Sequence, residues 1–157
     1  MKKSNHIDNN GNIRMVDIGA KPSSGRKAVA SGYIKLNNDA LESILQNKNK
    51  KGDVLTVAQI AGIQAAKKTS SLIPLAHPLN IVSATIDFNI KKDRVECTCE
   101  INCEGKTGVE IEALCSTQIA LLTIYDMCKY IDKSMIISDV KLLFKEGGKS
   151  GIYQLKQ

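Results

Sequence analysis

A run of thirteen residues without a charged side chain, from Ala113 to Tyr125, is the feature that most restricts how this chain can fold. The run lies in a helical pattern that extends from about Val109 to Ile131. A helix that is apolar on most of its sides must be covered on most of its sides, because exposed apolar surface is unfavourable in water. One sheet covers a single face of such a helix. We therefore expect another subunit to cover a second face and the protein to be a homo-oligomer.

The rest of the chain shows the patterns of four strands and two further helices. Alternating apolar and polar residues predict strands over 28–36, 82–90, 95–103 and 135–145. Helical spacing predicts a short helix over 39–46, capped by Asn38, and a second helix that begins at Gly52-Asp53. The resulting split βαββαβ order predicts a ferredoxin-like α+β sandwich with an antiparallel sheet and its helices on one face.

The second predicted helix and the segment that follows it contain two features that predict how they pack. Small residues at positions 61, 62, 65 and 66 would let that helix approach its neighbour closely. The segment from Thr69 to Ile86 contains no Asp, Glu, Lys or Arg, which predicts that it is buried.

A chain of 157 residues suits one domain with a sizeable core. Residues 1–13 are polar and show neither helical nor strand periodicity, so we predict a disordered N-terminal segment followed by a single domain over 14–157 that carries the function. No apolar run has the length of a membrane span, and the first residues lack the apolar core of a secretion signal. We therefore expect the protein in the cytoplasm.

The five cysteines are an odd number for a disulfide framework. Cys97, Cys99 and Cys103 recur at a period of two, which places them on one face of a strand. We interpret them as reduced thiols in the core. A zinc site is the less favoured alternative, because the Cys-x-Cys-x3-Cys spacing lacks the two-residue separation of zinc knuckles.

The net charge of +6 favours anionic partners. Aromatic residues make up 4% of the chain, and no run of lysine and arginine is interleaved with phenylalanine or tyrosine. A surface that stacks nucleic-acid bases is therefore disfavoured, and a small phosphorylated ligand fits better.

Gly105-Lys106-Thr107-Gly108 lies between a predicted strand and the long helix. It resembles part of a phosphate-binding loop, but Glu100 stands where the complete pattern needs its first glycine. Backbone amides at this helix start could still receive an anion with the help of Lys106. A tight turn with an N-cap is an equally good explanation.

Two acids begin the long helix. Glu110 has the spacing of a capping box with Thr107, which gives it a structural explanation. Glu112 has no such local explanation and is the better candidate for a site. The alternative for Glu112 is an acid stabilised near the positive end of the helix dipole.

Asp126 directly follows the uncharged run, and Lys129 lies on the same helix face three residues later. The two are either a surface ion pair, which the spacing favours, or an acid/base couple at the edge of an interface. Glu112 and Asp126 are fourteen residues apart, or about 21 Å along a straight helix. They cannot contact one small molecule within one chain, so a shared site requires antiparallel helices from two subunits.

Three further features are open to two interpretations. His77 precedes Pro78, which holds the segment extended, and a core histidine bonded to the backbone is favoured over a ligand-binding one. Lys51 lies in a lysine-rich loop and is by default solvated. The glycine-rich tail 147–151 fits either a flexible linker or a lid over a ligand.

Eight segments together resemble one known family, molybdenum cofactor biosynthesis protein C (MoaC), the cyclic pyranopterin monophosphate synthases. They are Met15-Val16-Asp17-Ile18, Lys51-Gly52-Asp53-Val54, Ala61-Gly62-Ile63-Gln64-Ala65-Ala66-Lys67, Leu72-Ile73-Pro74-Leu75-Ala76-His77-Pro78-Leu79, Gly105-Lys106-Thr107-Gly108-Val109-Glu110-Ile111-Glu112-Ala113, Leu122-Thr123-Ile124-Tyr125-Asp126-Met127-Cys128-Lys129, Val140-Lys141-Leu142-Leu143 and Gly147-Gly148-Lys149-Ser150-Gly151. They stand in the family's order and span nearly the whole chain.

The resemblance implies a ferredoxin-like subunit assembled as a homohexamer, a trimer of dimers, with its sites at the dimer interfaces. It implies that a GTP-derived, 3′,8-cyclised dihydro nucleotide triphosphate is converted to cyclic pyranopterin monophosphate with loss of pyrophosphate. It implies no nucleic-acid or membrane partner and no required cofactor. Participation of Mg²⁺ with the triphosphate is left open.

Carried over residue by residue, the resemblance places acid/base chemistry on Asp126, Lys51 and Lys129. It places substrate binding on Leu75, Ala76, His77, Ile111 and Glu112, with Arg26 and Lys145 as phosphate contacts on mobile segments. The family often has cysteine where Ala76 stands and methionine where Ile111 stands. The first departure argues against a chemical role for a thiol at that position.

The main alternative is a ferredoxin-like nucleotide-binding regulatory module without catalysis. Such a module would use the same basic surface, but it would not explain the full ordered set of motifs. Phe88 and Phe144 are the only phenylalanines of the sequence, which disfavours an RNA-binding version.

Overall fold

The computed structural model describes residues 6–8 and 10–156. Its strands are β1 (Ser24–Lys35), β2 (Asn80–Ile90), β3 (Arg94–Gly105), β4 (Ile136–Glu146) and β5 (Tyr153–Gln154). Its helices are α1 (Asn38–Leu45), α2 (Val54–Leu72) and α3 (Glu110–Cys128). No helix in these described ranges combines the length and the apolar character needed to cross a membrane.

The strands form one antiparallel sheet in the order β2-β3-β1-β4-β5. β1 lies in the middle, with Ala30 opposite Cys99 of β3 on one side and Leu142 of β4 on the other. The hairpin of β2 and β3 places β3 between β1 and β2. β1 and β2 therefore run parallel to each other without being neighbours. This order is that of the ferredoxin-like sandwich, and the predicted fold class is confirmed.

Alternation along β1 separates the two faces of the sheet. Ala28, Ala30 and Ile34 have no exposed surface and pack into the core beneath the helices. On the opposite face, Lys27 pairs with Glu100 at 2.8 Å between Nζ and Oε2. The period-two pattern thus determines which side chains of β1 meet the helices.

The cysteines of β3 point into this core. Cys97, Cys99 and Cys103 are buried, and all five cysteines of the chain are free, so the interpretation as reduced core thiols is confirmed. Burial raises the pKa of the Cys103 thiol to about 11 and keeps it protonated at neutral pH. Within the described residues, no group of three or more His, Cys, Asp or Glu side chains could hold a metal ion.

α3 crosses α2 closely because small groups meet at the crossing. The Ser116 hydroxyl donates a hydrogen bond of 2.9 Å to the carbonyl oxygen of Gly62, and Gly62, Ala65 and Ala66 are buried. A Cβ on Gly62 would lie 2.5 Å from Cδ1 of Ile86 and 3.2 Å from the carbonyl oxygen of Ser116. The close approach predicted from the small residues is confirmed.

α2 of the same chain supplies part of the cover that the sequence pattern assigned to another subunit. The face of α3 that remains open carries Ile111, 42% exposed, and Leu122, 51% exposed, with Gln118 between them. Exposed apolar side chains along one helix face are compatible with a subunit contact. The homo-oligomer therefore stays a prediction.

Two predicted helix caps are wrong. Asn37, not Asn38, caps α1, because Asn37 has the extended backbone of an N-cap and its side chain accepts from the Ala40 amide at 2.9 Å. α3 starts after Val109, and among the described residues no side chain caps its first turn. The capping box of Thr107 and Glu110 therefore does not form, because the helix begins too late for Thr107 to be its N-cap.

The segment from Thr69 to Ile86 is not buried as a whole, contrary to the prediction. α2 continues to Leu72, and β2 is an edge strand of the sheet. Leu72 is 58% exposed and Val82 67% exposed. A segment without charged side chains is still exposed where no other part of the same chain packs over it.

Part of the N-terminal segment predicted to be disordered forms a local turn. Ile7 pairs with Ile13 in an isolated antiparallel bridge, and Oδ1 of Asp8 accepts from the amides of Asn10 and Asn12. An aspartate that bonds the following backbone closes such turns without help from a core. The predictions for residues 1–5 and 9 lie outside the described residues, and the boundary at residue 13 stays a prediction.

The glycine-rich tail leads into a strand that the sequence patterns did not predict. β5 is two residues long, with Tyr153 opposite Lys145 and Gln154 opposite Phe144 of β4. The tail 147–151 therefore turns back along the sheet. Pairing of so short a strand depends on its neighbour, which local periodicity does not encode.

Replacement of Gly62 by alanine tests the close helix crossing. The added methyl group meets the buried Ile86 side chain and the Ser116 backbone, so Gly62→Ala should lower the free energy of unfolding by about 1–3 kcal/mol. Thermal unfolding should show a lower Tm. Gly25→Ala is the matched control, because a Cβ at Gly25 meets no atom within 4 Å, and an equal loss in both variants would contradict the explanation.

Candidate active site

Asp126, Lys51 and Lys129 meet at the C-terminal end of α3. Oδ2 of Asp126 lies 3.0 Å from Nζ of Lys51, and Oδ1 lies 2.7 Å from Nζ of Lys129. All three side chains are more than one third exposed. The structure thus brings together the three residues that the resemblance assigns to acid/base chemistry.

The end of α3 explains why Lys51 turns towards Asp126. The last carbonyl groups of a helix lack partners inside the helix, and the helix dipole places partial negative charge on them. Nζ of Lys51 donates a hydrogen bond of 2.8 Å to the carbonyl oxygen of Asp126 as well as binding its carboxylate. The carbonyl oxygen and the carboxylate of Asp126 therefore both bind the ammonium group of Lys51.

The charges of the three groups stabilise one another. The hydrogen bond from Lys129, and then the one from Lys51, lowers the pKa of Asp126 from its ordinary value. Asp126 in turn raises the pKa of Lys129. Both shifts lead away from neutrality, so at physiological pH Asp126 is a carboxylate and Lys129 an ammonium group.

A cavity of about 560 Å³ lies at the other end of α3. It collects all five predicted substrate-binding residues of the two central motifs, which are Leu75, Ala76, His77, Ile111 and Glu112. Its volume is in the range of pockets that enclose small-molecule ligands. The segment before β2 and the first turn of α3 both line it.

His77 is held against the N-terminal segment, whose Val16, Ile18 and Lys21 also line this cavity. Its Nε2 lies 2.8 Å from the carbonyl oxygen of Val16, which can only accept, so Nε2 carries the proton. In the neutral ring Nδ1 is then an acceptor. The Nζ atom of Lys106 donates at 2.6 Å to the carbonyl oxygen of Gly19, which ties the same segment to the start of α3.

Glu112 is 3% exposed although it lines the cavity. Burial raises the pKa of its carboxyl group from the ordinary 4.5, with a smaller contribution from the charge of Glu110. No lysine, arginine or histidine within the described residues forms a salt bridge with it. A buried acid without a cation can donate a proton or a hydrogen bond to a polar ligand.

A second, basic cavity of about 580 Å³ adjoins the first. Lys21, Thr107, Gly108 and Glu110 line both cavities. The second adds further basic side chains, which are Arg26, Lys106 and Lys149. Four cations and one acid make this space suited to a polyanion.

Arg26 and Lys145, the predicted phosphate contacts, lie in strands β1 and β4 and not on mobile segments as predicted. They have different relations to this basic cavity. Arg26 lines it, and its Nε donates at 3.4 Å to the carbonyl oxygen of Gly105. Lys145 contacts the hydroxyl of Ser150, and Ser150 lines the cavity. Gly148 packs so close to the guanidinium that a Cβ there would overlap Nη1 of Arg26.

The candidate residues form two groups that one chain cannot unite. His77 and Glu112 lie at the start of α3, and Asp126 with its lysines lies at the end, about 21 Å along the helix axis. Lys21 is a site residue that sequence reasoning missed. Its position in the polar segment directly before β1, five residues from Arg26, is the signal that could have identified it.

Comparison with known proteins gives one consistent result. The family model described as the MoaC family matches residues 15–148. A relative from Clostridium botulinum is 56% identical over 95% of both chains, and one from Novosphingobium aromaticivorans is 48% identical over 98% of both. A third, from Peptoclostridium acidaminophilum, is 46% identical over 95% of both, and each of the three is named cyclic pyranopterin monophosphate synthase.

Replacement of Glu112 by glutamine tests the effect of its burial. Because the folded state raises the pKa of Glu112, its stabilising contribution is complete below pH 4.5 and is lost as the pH rises through the folded pKa. Above that pKa the buried carboxylate destabilises the protein. Glu112→Gln should therefore unfold at a Tm about 2–4 °C higher near pH 8, on the order of 1 kcal/mol, and show no gain near pH 4.

Glu42→Gln is the control for this measurement. Glu42 is exposed on α1, so its replacement should change stability by less than about 0.5 kcal/mol at either pH. A Glu112→Gln protein that is less stable than the unmodified chain at pH 8 would show that the carboxylate is favourably paired in the folded protein.

Proposed function

The chain belongs to the MoaC family, and we propose that it is a cyclic pyranopterin monophosphate synthase in molybdenum cofactor biosynthesis. Its substrate is the GTP-derived 3′,8-cyclised dihydro nucleotide triphosphate, and its products are cyclic pyranopterin monophosphate and pyrophosphate. The enzyme is a lyase. It works in the cytoplasm on a small molecule, without a nucleic-acid or membrane partner.

The pair of adjoining cavities is the observation that carries this proposal. The first offers His77 and the buried Glu112, which suit the hydrogen-bonding groups of a purine-derived ring system. The second offers Lys21, Arg26 and Lys106, which suit a triphosphate. A nucleotide triphosphate has both parts in one molecule and can occupy the two spaces together.

Asp126, Lys51 and Lys129 supply the acid/base groups. Opening and reclosing of the ring require proton transfers, and closure of the cyclic phosphate requires that the charge of departing pyrophosphate be neutralised. The raised pKa of Lys129 keeps it an ammonium group that can neutralise phosphate charge, and the hydrogen bonds from Lys129 and Lys51 lower the pKa of Asp126 and keep it a carboxylate. Mg²⁺ on the substrate's phosphates stays a prediction.

We place each complete site between two subunits. Antiparallel α3 helices from two chains bring Glu112 of one chain near Asp126 of its partner, which overcomes the separation along one helix. The open face of α3, with Ile111 and Leu122, offers the apolar surface for this contact. Three such dimers make the homohexamer that the family resemblance implies.

A regulatory module without catalysis is the disfavoured alternative. It explains a basic cavity but gives no reason for an aspartate bonded to two lysines at the C-terminal end of α3. The chain matches three relatives named as synthases over nearly their whole length. Catalytic turnover therefore separates the two functions directly.

Turnover of the cyclised nucleotide is the first test. The purified protein should release pyrophosphate from the 3′,8-cyclised triphosphate and leave GTP unchanged. Asp126→Asn and Lys51→Ala should each lower kcat by at least about 100-fold, because each removes a proton-transfer or charge-holding group. Glu42→Gln should retain full activity, and normal kcat in both site variants would refute the role assignment.

Mixed oligomers test the shared site. Glu112→Ala and Asp126→Ala, each inactive alone, should regain up to about a quarter of the unmodified activity when co-refolded. Half of randomly formed dimers are mixed, and one of their two sites is intact. The rate of pyrophosphate release measures the recovery.

The matched control is a mixture of Lys51→Ala and Asp126→Ala. Lys51 and Asp126 contact each other within one chain, so every site in this mixture lacks one of them. It should stay inactive. Recovery in the control, or none in the Glu112 and Asp126 mixture, would argue against the proposed arrangement of two chains.

A further inference from the structure

The loop between α1 and α2 carries three lysines, and their side chains make different contacts. Lys51 contacts Asp126, whereas Nζ of Lys50 lies 5.9 Å from the centre of the Tyr130 ring. Lys48 is exposed. A lysine side chain on a free loop loses rotamer entropy when it is fixed, so a constrained backbone makes a defined position more favourable.

Asn49 is the buried residue of this loop. It is 7% exposed, whereas Lys48, Lys50 and Lys51 on either side are exposed. Its Nδ2 donates at 3.2 Å to the carbonyl oxygen of Met127 in the last turn of α3. The residue therefore joins the loop to the same helix end that carries Asp126.

The oxygen of the Asn49 side-chain amide binds the backbone of Lys51. Its Oδ1 accepts from the backbone N–H of Lys51 at 2.9 Å. Reversal of the amide would place oxygen against the Met127 carbonyl and NH₂ against the Lys51 N–H, so this one orientation satisfies both bonds. The amide thus connects the backbone of Lys51 to the helix one residue beyond Asp126.

Two further bonds fix the loop around Asn49. The hydroxyl of Tyr130 accepts from the backbone N–H of Lys50 at 3.0 Å. The N–H of Gly52 donates at 3.0 Å to the carbonyl oxygen of Asn49, in a turn where Gly52 has a φ of 102°. A left-handed conformation there costs glycine little, so the turn closes directly after Lys51.

We propose that Asn49, supported by Tyr130, is a positioning residue that holds the ammonium group of Lys51 on Asp126. Asn49 does not touch the reacting atoms and acts through Lys51. The proposal rests on the proposed function for its catalytic meaning. Its structural content is independent of that function.

The exposure of the pair makes such a support necessary. Lys51 and Asp126 are 39% and 55% exposed, and ion pairs with this exposure contribute little by themselves. Water and salt compete for both partners. A backbone anchored on the helix end keeps the two charges at contact distance where their attraction alone would not.

Titration of the Asp126 carboxyl group by carbon-13 NMR tests the proposal without any turnover. In the full-length protein, Lys51→Ala and Asn49→Ala should each raise the pKa of Asp126 towards that of a free aspartate. Asn49→Ala should add nothing in the Lys51→Ala background, because it acts only through Lys51. An unchanged pKa in Asn49→Ala, or an equal shift in both backgrounds, would overturn the proposal.

Tyr130→Phe keeps the test decisive should Asn49→Ala not fold. Tyr130 is 43% exposed, and the change removes only the hydroxyl that holds Lys50. It should shift the pKa of Asp126 in the same direction by a smaller amount. Lys48→Ala is the control in the same loop and should leave this pKa unchanged, and a shift as large as in Tyr130→Phe would contradict the proposed role.

Kinetics with the cyclised nucleotide give the functional consequence. Asn49→Ala should lower kcat by about 10–100-fold, as expected for displacement of a catalytic group by about 1 Å, and change KM less. Should the unmodified protein not convert this nucleotide, the proposed function fails while the NMR result stands. A normal kcat in an Asn49→Ala protein with a displaced Asp126 pKa would remove Lys51 from the catalytic step.

Discussion

The packing of α3 against both the sheet and α2 is the constraint on which the rest of the structure depends. Ala120, Leu121 and Ile124 have no exposed surface, and the Gly62 crossing brings α2 against the same helix. A helix buried in this way is a rigid rod, so its two ends keep a fixed separation. One end carries Glu112 and the other Asp126, and each half of the site takes its position from the same buried element.

The two ends of α3 shift the pKa of their acidic side chains in opposite directions. At the start, burial outweighs the favourable positive end of the helix dipole, and the pKa of Glu112 rises. At the end, exposed Asp126 is bonded to two ammonium groups, and its pKa falls. One helix therefore presents an acid that can hold its proton and a carboxylate that stays ionised. Such divergent environments are what acid/base chemistry on a bound ligand requires.

The sequence patterns predicted the strands and helices well because each has a regular period. They failed where a neighbour decides the outcome. Asn37 and Asn38 are chemically identical, and only the path of the chain from β1 selects Asn37 as the cap of α1. The two-residue strand β5 exists only because β4 offers an open edge. The uncharged stretch after Thr69 was expected in the core, but α2 and the edge strand leave much of it open.

Local sequence by itself determined the fold class, the strand and helix order and the impossibility of joining Glu112 and Asp126 on one helix. These follow from periods and rises that are properties of the backbone. Tertiary structure decided that His77 and Glu112 share a cavity, that Lys21 joins it to a basic one, and that Asn49 ties Lys51 to the end of α3. Those contacts join residues far apart in the chain, and their geometry arises only when the sheet and helices pack.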